Sequence, residues 1–350
     1  MGGAKNGLVR QYGHGKIVFG LVLGCLVAMV MVTGCRRGGN AGDSKPRFAF
    51  VVNVPTDRFW DIAYAGCLKA ASEEDVIVEF HAPNEATAQQ QKQIVEALMA
   101  RGMDGMAISP LNPESLAPLI DQASEMFPVV CQDSDLCSDP NNCQSKRFCY
   151  IGTDNVQLGR HIGELLKKAL PDGGKVAIFV GKLDVQNAIE RQRGVLESLE
   201  GSNCEVIGTF LDGGIPSEAK RVATDVLAKN PDLAGCVGLW GYNAPQVVNA
   251  LSDSPDRNVV VVGSDESVET MAAVADRTQY AAVAQQPYEF GYKSIKILSQ
   301  LARGESVELP ENKQVFVPTY NIVPDNVEQV DKEIRQKLEL VGQLRKDYGK

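Results

Sequence analysis

Short apolar runs alternate with single helix-length segments from residue 47 onward, and the alternation restarts once. Residues 47–53 (RFAFVVN), 76–80 (VIVEF), 104–109 (DGMAIS) and 128–132 read as strands, with helix patterns over 59–72, 86–101 and 113–126. A second series follows at 175–181 (KVAIFVG), 204–212, 235–241, 258–265 and 280–285, with helices starting near Ala188, Ser217 and Ala244. Strands that are apolar throughout are buried on both faces, and one helix between successive strands is what parallel crossovers need. The pattern predicts an α/β fold of two doubly wound parallel-sheet lobes. Ligands of such sheets bind outside the carboxyl ends of the strands.

The 350 residues suffice for two lobes after an export segment is removed. Arg10, His14 and Lys16 precede an uncharged apolar run, residues 17–32, that ends in Val32-Thr33-Gly34-Cys35. The run is short for a membrane span. Its Gly-Cys ending, followed by Arg36-Arg37, resembles the bacterial lipobox, where cleavage precedes a cysteine that then carries acyl chains. An uncleaved transmembrane anchor is the competing reading. On the first reading, residues 1–34 are a signal peptide, Cys35 is the lipidation site and the Gly-rich polar segment 35–46 is a tether. A net charge of −9 argues against nucleic acid or an anionic membrane surface as a partner. The membrane is then met only through the lipid anchor, in the periplasm or at the cell surface.

Polar residues gather at the strand ends. Asp57 stands beside Phe59 and Trp60 after the first strand, and Asp133 follows the fourth. In the second series Asn187 and Arg191, four apart, share one face of a helix near its start. Asn243, Asp265 and Gln285 close later strands. Carboxylates, amides and a guanidinium suit a ligand rich in hydroxyls, each both donor and acceptor, and an aromatic face suits the C–H face of a sugar ring. An unpaired buried hydroxyl is costly, which lets such a pocket tell epimers apart. The same residues also have plainer uses. Asp57 and Asp265 suit helix N-caps, Trp240 suits a strand core, and Asp154-Asn155 suits a hinge turn. Of Phe59 and Trp60, adjacent on a helix, one is expected in the pocket and one partly buried.

Six fragments, PLIDQA…FPVVCQDSD, YIGTDNVQLG, NAIERQRG, LWGYNAP, VVVVGSDE and AAVAQQPYEFG, stand in an order that resembles the type I periplasmic sugar-binding proteins of the ribose, galactose and allose type. The resemblance covers about residues 47–325. It implies lobes made of 47–152 with 287–317 and of 153–286 with 318–330, joined by a three-crossing hinge, and a C-terminal helix over 331–350. It also implies a ligand set of Asp57, Phe59, Trp60, Asp133, Asn187, Arg191, Asn243, Asp265 and Gln285. The implied function is capture of a monosaccharide, by a monomer, for the permease and ATPase of an ABC importer. A sensory receptor feeding a membrane kinase or chemoreceptor is the alternative, and a carbohydrate-active enzyme the third reading. The chain departs from ribose-type members at Asp133-Ser134, where they carry Asp-Arg, and at Gly213-Gly214, where they carry an aromatic.

Cys131, Cys137, Cys143 and Cys149 recur every six residues through a polar loop. An exported setting favours disulfides, and a nested pair, Cys131–Cys149 around Cys137–Cys143, suits the spacing. Free thiols and zinc stay open, although the short Cys-x2–4-Cys pairs of zinc sites are missing from the loop. Cys67, Cys204 and Cys236 fall on helix or strand patterns and are expected to be buried. His81 and His161 are isolated, and the sequence has no nucleophile elbow, His-Glu-x-x-His, Walker loop or dinucleotide fingerprint. Asp133 and Asp135 sit too close in sequence for a separated acid and nucleophile. No catalysis, cofactor or metal is expected. Replacing Cys35→Ser is expected to abolish acylation, read as loss of palmitate labelling; labelling that persists in the mutant rules the lipobox out.

Overall fold

The computed structural model describes residues 45–54, 58–137 and 142–347. The signal segment, Cys35 and Asp57 lie outside the described residues. The first series runs β1 (Arg47–Val51), α1 (Arg58–Glu74), β2 (Ile77–His81), α2 (Ala88–Arg101), β3 (Gly105–Ile108), α3 (Pro113–Ser124), β4 (Val129–Gln132) and β5 (Cys149–Gly152). The second runs α4 (Asn155–Ala169), β6 (Gly174–Val180), α5 (Gln186–Leu199), β7 (Cys204–Leu211), α6 (Pro216–Lys229), β8 (Leu233–Gly238), α7 (Asn243–Leu251), β9 (Val260–Ser264), α8 (Val268–Ala275) and β10 (Ala281–Ala284). After them come α9 (Pro287–Ala302), β11 (Gln314–Phe316), β12 (Tyr320–Ile322) and α10 (Val327–Asp347). Among the described residues no helix is long and apolar enough to cross a membrane.

The strands form two six-stranded sheets, β11-β5-β4-β3-β1-β2 and β12-β10-β9-β8-β6-β7. Each reads as order 2-1-3-4-5 with one added edge strand, so the winding direction reverses between β1 and β3 in the first and between β6 and β8 in the second. Helix exchange ties the two lobes together. α4 follows β5 of the first sheet but packs on α5, β9 and β10, while α9 follows β10 of the second but packs on α1 and on β3, β4 and β5. The chain crosses a third time between β11 and β12. Only residues 317–319 separate them, so β12 starts at the hinge, runs away from it and pairs antiparallel with β10. Each sheet is otherwise parallel.

Both exchanged helices pack at glycines. A Cβ on Gly66 would lie 1.9 Å from the Tyr288 carbonyl oxygen, and one on Gly291 1.9 Å from that of Ala63, so α1 and α9 touch backbone to backbone. In the second lobe Gly159 of α4 meets the Arg191 carbonyl, and Gly194 of α5 meets that of Val156, at 2.1 and 2.0 Å. Around these contacts the sheets bury Phe48, Phe50, Phe290 and Leu298 on one side of the molecule and Ile162, Leu166, Ile178 and Val262 on the other.

The inner cysteines of the loop, Cys137 and Cys143, form a disulfide with Cα atoms 5.3 Å apart. The outer bridge expected between Cys131 and Cys149 is not formed, and both are buried thiols. Register explains why. Cys149 pairs with Val130 and Cys131 with Tyr150 across β4 and β5, and side chains alternate between the faces of a sheet. Cys149 thus lies in the core under α1 and α9, and Cys131 in the core under α2 and α3. Burial raises both thiols, Cys149 to about 12, so they pack as small apolar groups. Cys67 and Cys236 are also buried, whereas Cys204 on the edge strand β7 is only half-buried.

The C-terminal helix differs from the sequence expectation. α10 begins at Val327 and spans both lobes: Val327 packs with Met271, Val274 and Ile322 of the second, and Val341 joins the core of Phe48 and Phe290 in the first. Asp331 lies 3.6 Å from Arg58 at the start of α1, and Lys337 lies over the Tyr288 ring at 4.9 Å.

The helix crossings give the first structural test. Alanine is favoured over glycine inside a helix by about 1 kcal/mol, yet a Cβ at Gly291 has only backbone to push against. Gly291→Ala is expected to destabilise the protein by about 1–3 kcal/mol in denaturant melts, whereas Gly342→Ala, with nothing within 4 Å, should leave stability equal or higher. Equal melts for the two variants would remove the close crossing as a constraint.

Candidate functional site

The fourth strand of each sheet ends in an aspartate with a left-handed backbone, Asp133 at φ 60° and Asp265 at φ 65°. The two are topological equivalents. The Asp133 amide donates to Ile151 of β5 and the Asp265 amide to Val283 of β10, each at 3.0 Å. Such a conformation is strained for a non-glycine residue, tolerated best by Asp and Asn, and is concentrated at functional sites. It turns each carboxylate out of the strand end. Ser267, not Asp265, caps α8, which removes the capping explanation for Asp265.

On the first lobe's side the Asp133 carboxylate accepts from Ser109 Oγ at 3.1 Å, and Ser109 Oγ accepts from Asn53 Nδ2 at 3.2 Å. Asn53 Oδ1 in turn accepts the Trp60 indole N–H at 3.1 Å. Gln91, fully buried, donates to the carbonyls of Val52 and Ser109 and accepts from Leu111, which fastens the ends of β1 and β3 together. Trp60 is 4% exposed and belongs to the core. Phe59 is half-buried, edge-on to Trp60 at 4.9 Å and near Phe290 at 6.1 Å. Asp135 is used structurally, gripped by the buried Arg147 guanidinium through both carboxylate oxygens.

On the second lobe's side Arg191 is 3% exposed. Its Nε donates to Asn155 Oδ1 at 3.0 Å, its Nη1 to the Leu239 carbonyl at 2.9 Å, and the same Nη1 stands 3.8 Å from Asp265 Oδ2. Asn155 also donates to Glu190 at 3.3 Å. Asp265 Oδ1 accepts from Gln285 Nε2 at 2.8 Å, and Gln285 Oε1 accepts from Thr153 Oγ1 at 2.7 Å. Thr153 lies on the first crossing, so this chain of bonds ties the Asp265 carboxylate to the hinge. Further along the hinge, Gln286 Nε2 donates to the Pro318 carbonyl at 2.7 Å, and His161 bonds to Thr319 at 2.9 Å.

Asn243 is placed differently from the ligand role that the resemblance implies. It is 1% exposed, donating to Asp212 Oδ2 at 2.8 Å and accepting from the Trp240 amide at 2.9 Å. Both ends of its amide are engaged inside the protein, so Asn243 braces the wall. Asp212 was not singled out from the sequence, yet its buried carboxylate also accepts from the Tyr242 hydroxyl at 2.7 Å and the Gly214 amide at 2.9 Å. Burial, and then Asp212, push the Tyr242 hydroxyl far up, so it stays a donor. Asn187 accepts the Trp240 indole N–H at 3.0 Å. The two lobes approach at Tyr150, whose hydroxyl donates to the Asp133 carbonyl at 2.9 Å and which lies within electrostatic reach of Glu190 and Arg191. The arrangement offers fixed acceptors from both lobes and one buried guanidinium. Among the described residues no group of side chains is arranged to hold a metal ion.

The family model described as a periplasmic binding protein domain matches residues 48–306. The D-ribose/D-allose-binding protein of Pseudomonas aeruginosa is 27% identical over 195 residues, 54% of this chain and 60% of that protein. The D-allose-binding periplasmic protein of Escherichia coli is 25% identical over 283 residues, 79% of this chain and 89% of that protein. A solved ABC transporter solute-binding protein from Burkholderia graminis, in complex with D-arabinose, has a TM-score of 0.74 and 27% identity, covering 81% of this chain and 98% of its own.

Behind Asp265, Glu266 is 5% exposed with Oε2 buried and unbonded. Burial, and then the Asp265 charge, push its carboxyl up to about 8 against the pull of Arg58 and Lys337. Unfolded, it titrates near the ordinary glutamate value of 4.5. Between the two values the native state holds the extra proton, so stability falls as pH rises through that window. The wild-type melting temperature is expected to drop between about pH 5 and about pH 8, and Glu266→Gln to flatten the slope. An unchanged slope in Glu266→Gln would assign the dependence to other groups.

Proposed function

Because this chain belongs to the periplasmic binding protein domain family, we propose that it captures a monosaccharide between its two lobes and delivers it to an ABC importer. It acts outside the cytoplasmic membrane, held there by acylated Cys35. The observation that carries this reading is the pair of left-handed aspartates, Asp133 and Asp265, at equivalent strand ends of the two lobes. One carboxylate from each side, with the buried Arg191 beside Asp265, supplies directed hydrogen bonds to a small polyhydroxylated ligand. Ribose, allose and arabinose, the sugars named for the relatives, have this chemistry.

Closure follows from the same geometry. A ligand that bonds Asp133 and Asp265 at once favours the arrangement in which the lobes approach, and only that difference in affinity can drive a hinge. The crossings are short, and the exchanged helices α4 and α9 move with the lobe they pack against, so the change falls on residues near Thr153, Gln286 and Pro318 and on α10, which packs on both lobes.

The test is calorimetric titration with the sugar identified by mass spectrometry of ligand released from the purified protein. Asp265→Asn keeps the left-handed backbone and the bond from Gln285 while removing a charged acceptor. The expected loss is about 1.5–3 kcal/mol, or roughly ten- to more than a hundredfold in dissociation constant, with little change in apo melting temperature. Asp133→Asn tests the other lobe. Unchanged affinity in both variants would mean that these strand ends are not the binding site.

A further inference from the structure

We propose that α10 is a strap across the two lobes that limits how far they part without ligand, and that it thereby raises ligand affinity. The limit on opening stands whatever the ligand is, while the gain in affinity rests on the sugar reading above.

The strap is one helix with an anchor at each end. Val327, Val330, Ile334, Lys337 and Val341 recur at helical spacing and form a single stripe. From Val327 to Val341 a helix rises about 21 Å, and no proline or glycine interrupts it. At its start Val327 and Val330 pack with Met271, Val274 and Ile322 of the second lobe. At its far end the buried Val341 enters the core that Phe48, Phe50 and Phe290 build in the first. Lys332, Glu333, Gln336 and Glu339, off the stripe, are exposed. The buried stripe is therefore divided between two bodies that the hinge moves.

Polar contacts join the three parts midway along the helix. Asp331 lies 3.6 Å from Arg58, the first residue of α1, and Lys337 lies 4.9 Å from the centre of the Tyr288 ring at the start of α9. Glu266 of the second lobe is 5% exposed and within electrostatic reach of both Arg58 and Lys337. Arg58 follows Asp57 in the chain and Glu266 follows Asp265, so the strap crosses beside the ligand segments of both lobes. Parting the lobes must draw Val341 from one core, draw Val327 from the other, or bend the helix and uncover Glu266. Each of these gives up buried contact. The cost falls on opening, because the junction around Glu266 is already covered and only separation uncovers it. More molecules then stand near the bound arrangement, and apparent affinity rises in proportion to that fraction.

The experiment uses the full chain, with small-angle X-ray scattering of the apo protein and calorimetric titration of D-ribose, D-allose and D-arabinose. Gln336→Pro breaks the helix between its anchors, since proline lacks the N–H and clashes with the preceding turn. Gln336→Ala is its control, and Val341→Asp leaves the helix whole but expels its far end. Opening should raise the apo radius of gyration by roughly 0.5 Å or more, on about 20 Å for a chain of this size. That rise is expected in Gln336→Pro and Val341→Asp and not in Gln336→Ala, and saturating sugar should reverse it. Both variants should bind sugar about threefold or more weakly. Wild type supplies a reading should both variants fail to fold: its radius should contract by less than about 0.5 Å on saturation, and a larger contraction overturns the strap. Apo dimensions equal to wild type in a variant that melts cooperatively also overturn it. A wider apo form with unchanged affinity overturns the gain in affinity. Wild type that binds none of the three sugars overturns the sugar reading, and the apo scattering still decides the limit on opening.

Discussion

Backbone contact between paired helices is the constraint on which the rest of this molecule depends. α4 and α9 each leave one sheet to pack in the other lobe, and each is drawn onto its partner helix by reciprocal glycines. The distance at α4–α5 fixes the site directly, because the carbonyl that meets Gly159 belongs to Arg191. Asn155, at the start of α4, then reaches the Arg191 guanidinium. A wider crossing would part those two residues and leave a buried cation without its amide partner, a cost that cores rarely sustain. The same crossing delivers Thr153 to Gln285, so helix packing, hinge position and the orientation of Asp265 form one chain of causes.

Much of this architecture is legible in the sequence because the physics is local. Nine strands are read as continuous apolar runs bounded by polar or glycine residues, and a parallel sheet demands that pattern. β5, β11 and β12 are missed as strands, being three or four residues long with no period to count. Of the site, Asp133, Asp265 and Gln285 are visible as polar residues at the ends of apolar strands and Arg191 as a polar residue near a helix start, and the structure gives each a definite place. Asn53, Gln91, Asn155 and Asp212 act through partners 18 to 56 positions away in the chain, and no local pattern reveals such pairings. Sequence spacing misleads at the cysteines for a related reason. Eighteen positions separate Cys131 from Cys149, but parallel register sets them one residue out of step, on opposite faces of the sheet.

Electrostatically the strand ends are acidic, carrying Asp133, Asp212 and Asp265, with the buried Arg191 guanidinium 3.8 Å from Asp265. Asp212 has its lone pairs occupied by Tyr242, Gly214 and Asn243, so its charge is spent on building the wall. Glu266 keeps its proton and so adds no second negative charge behind Asp265. Asp133 and Asp265 instead stand at equivalent strand ends on backbone at positive φ.

The division of the first core along the chain has a consequence for how the molecule is made. Phe48 and Phe50 lie in β1, yet they pack with Phe290, Ile295, Leu298, Val317 and Val341. Closing those contacts requires chain ends separated by more than two hundred residues to meet, and such long loops are closed late. The second lobe draws nearly all of its core from one contiguous stretch and is free to condense first. A chain emerging from its amino end therefore carries its first lobe incomplete until α9 arrives, which keeps the leading half open and threadable while the trailing half is still being synthesised.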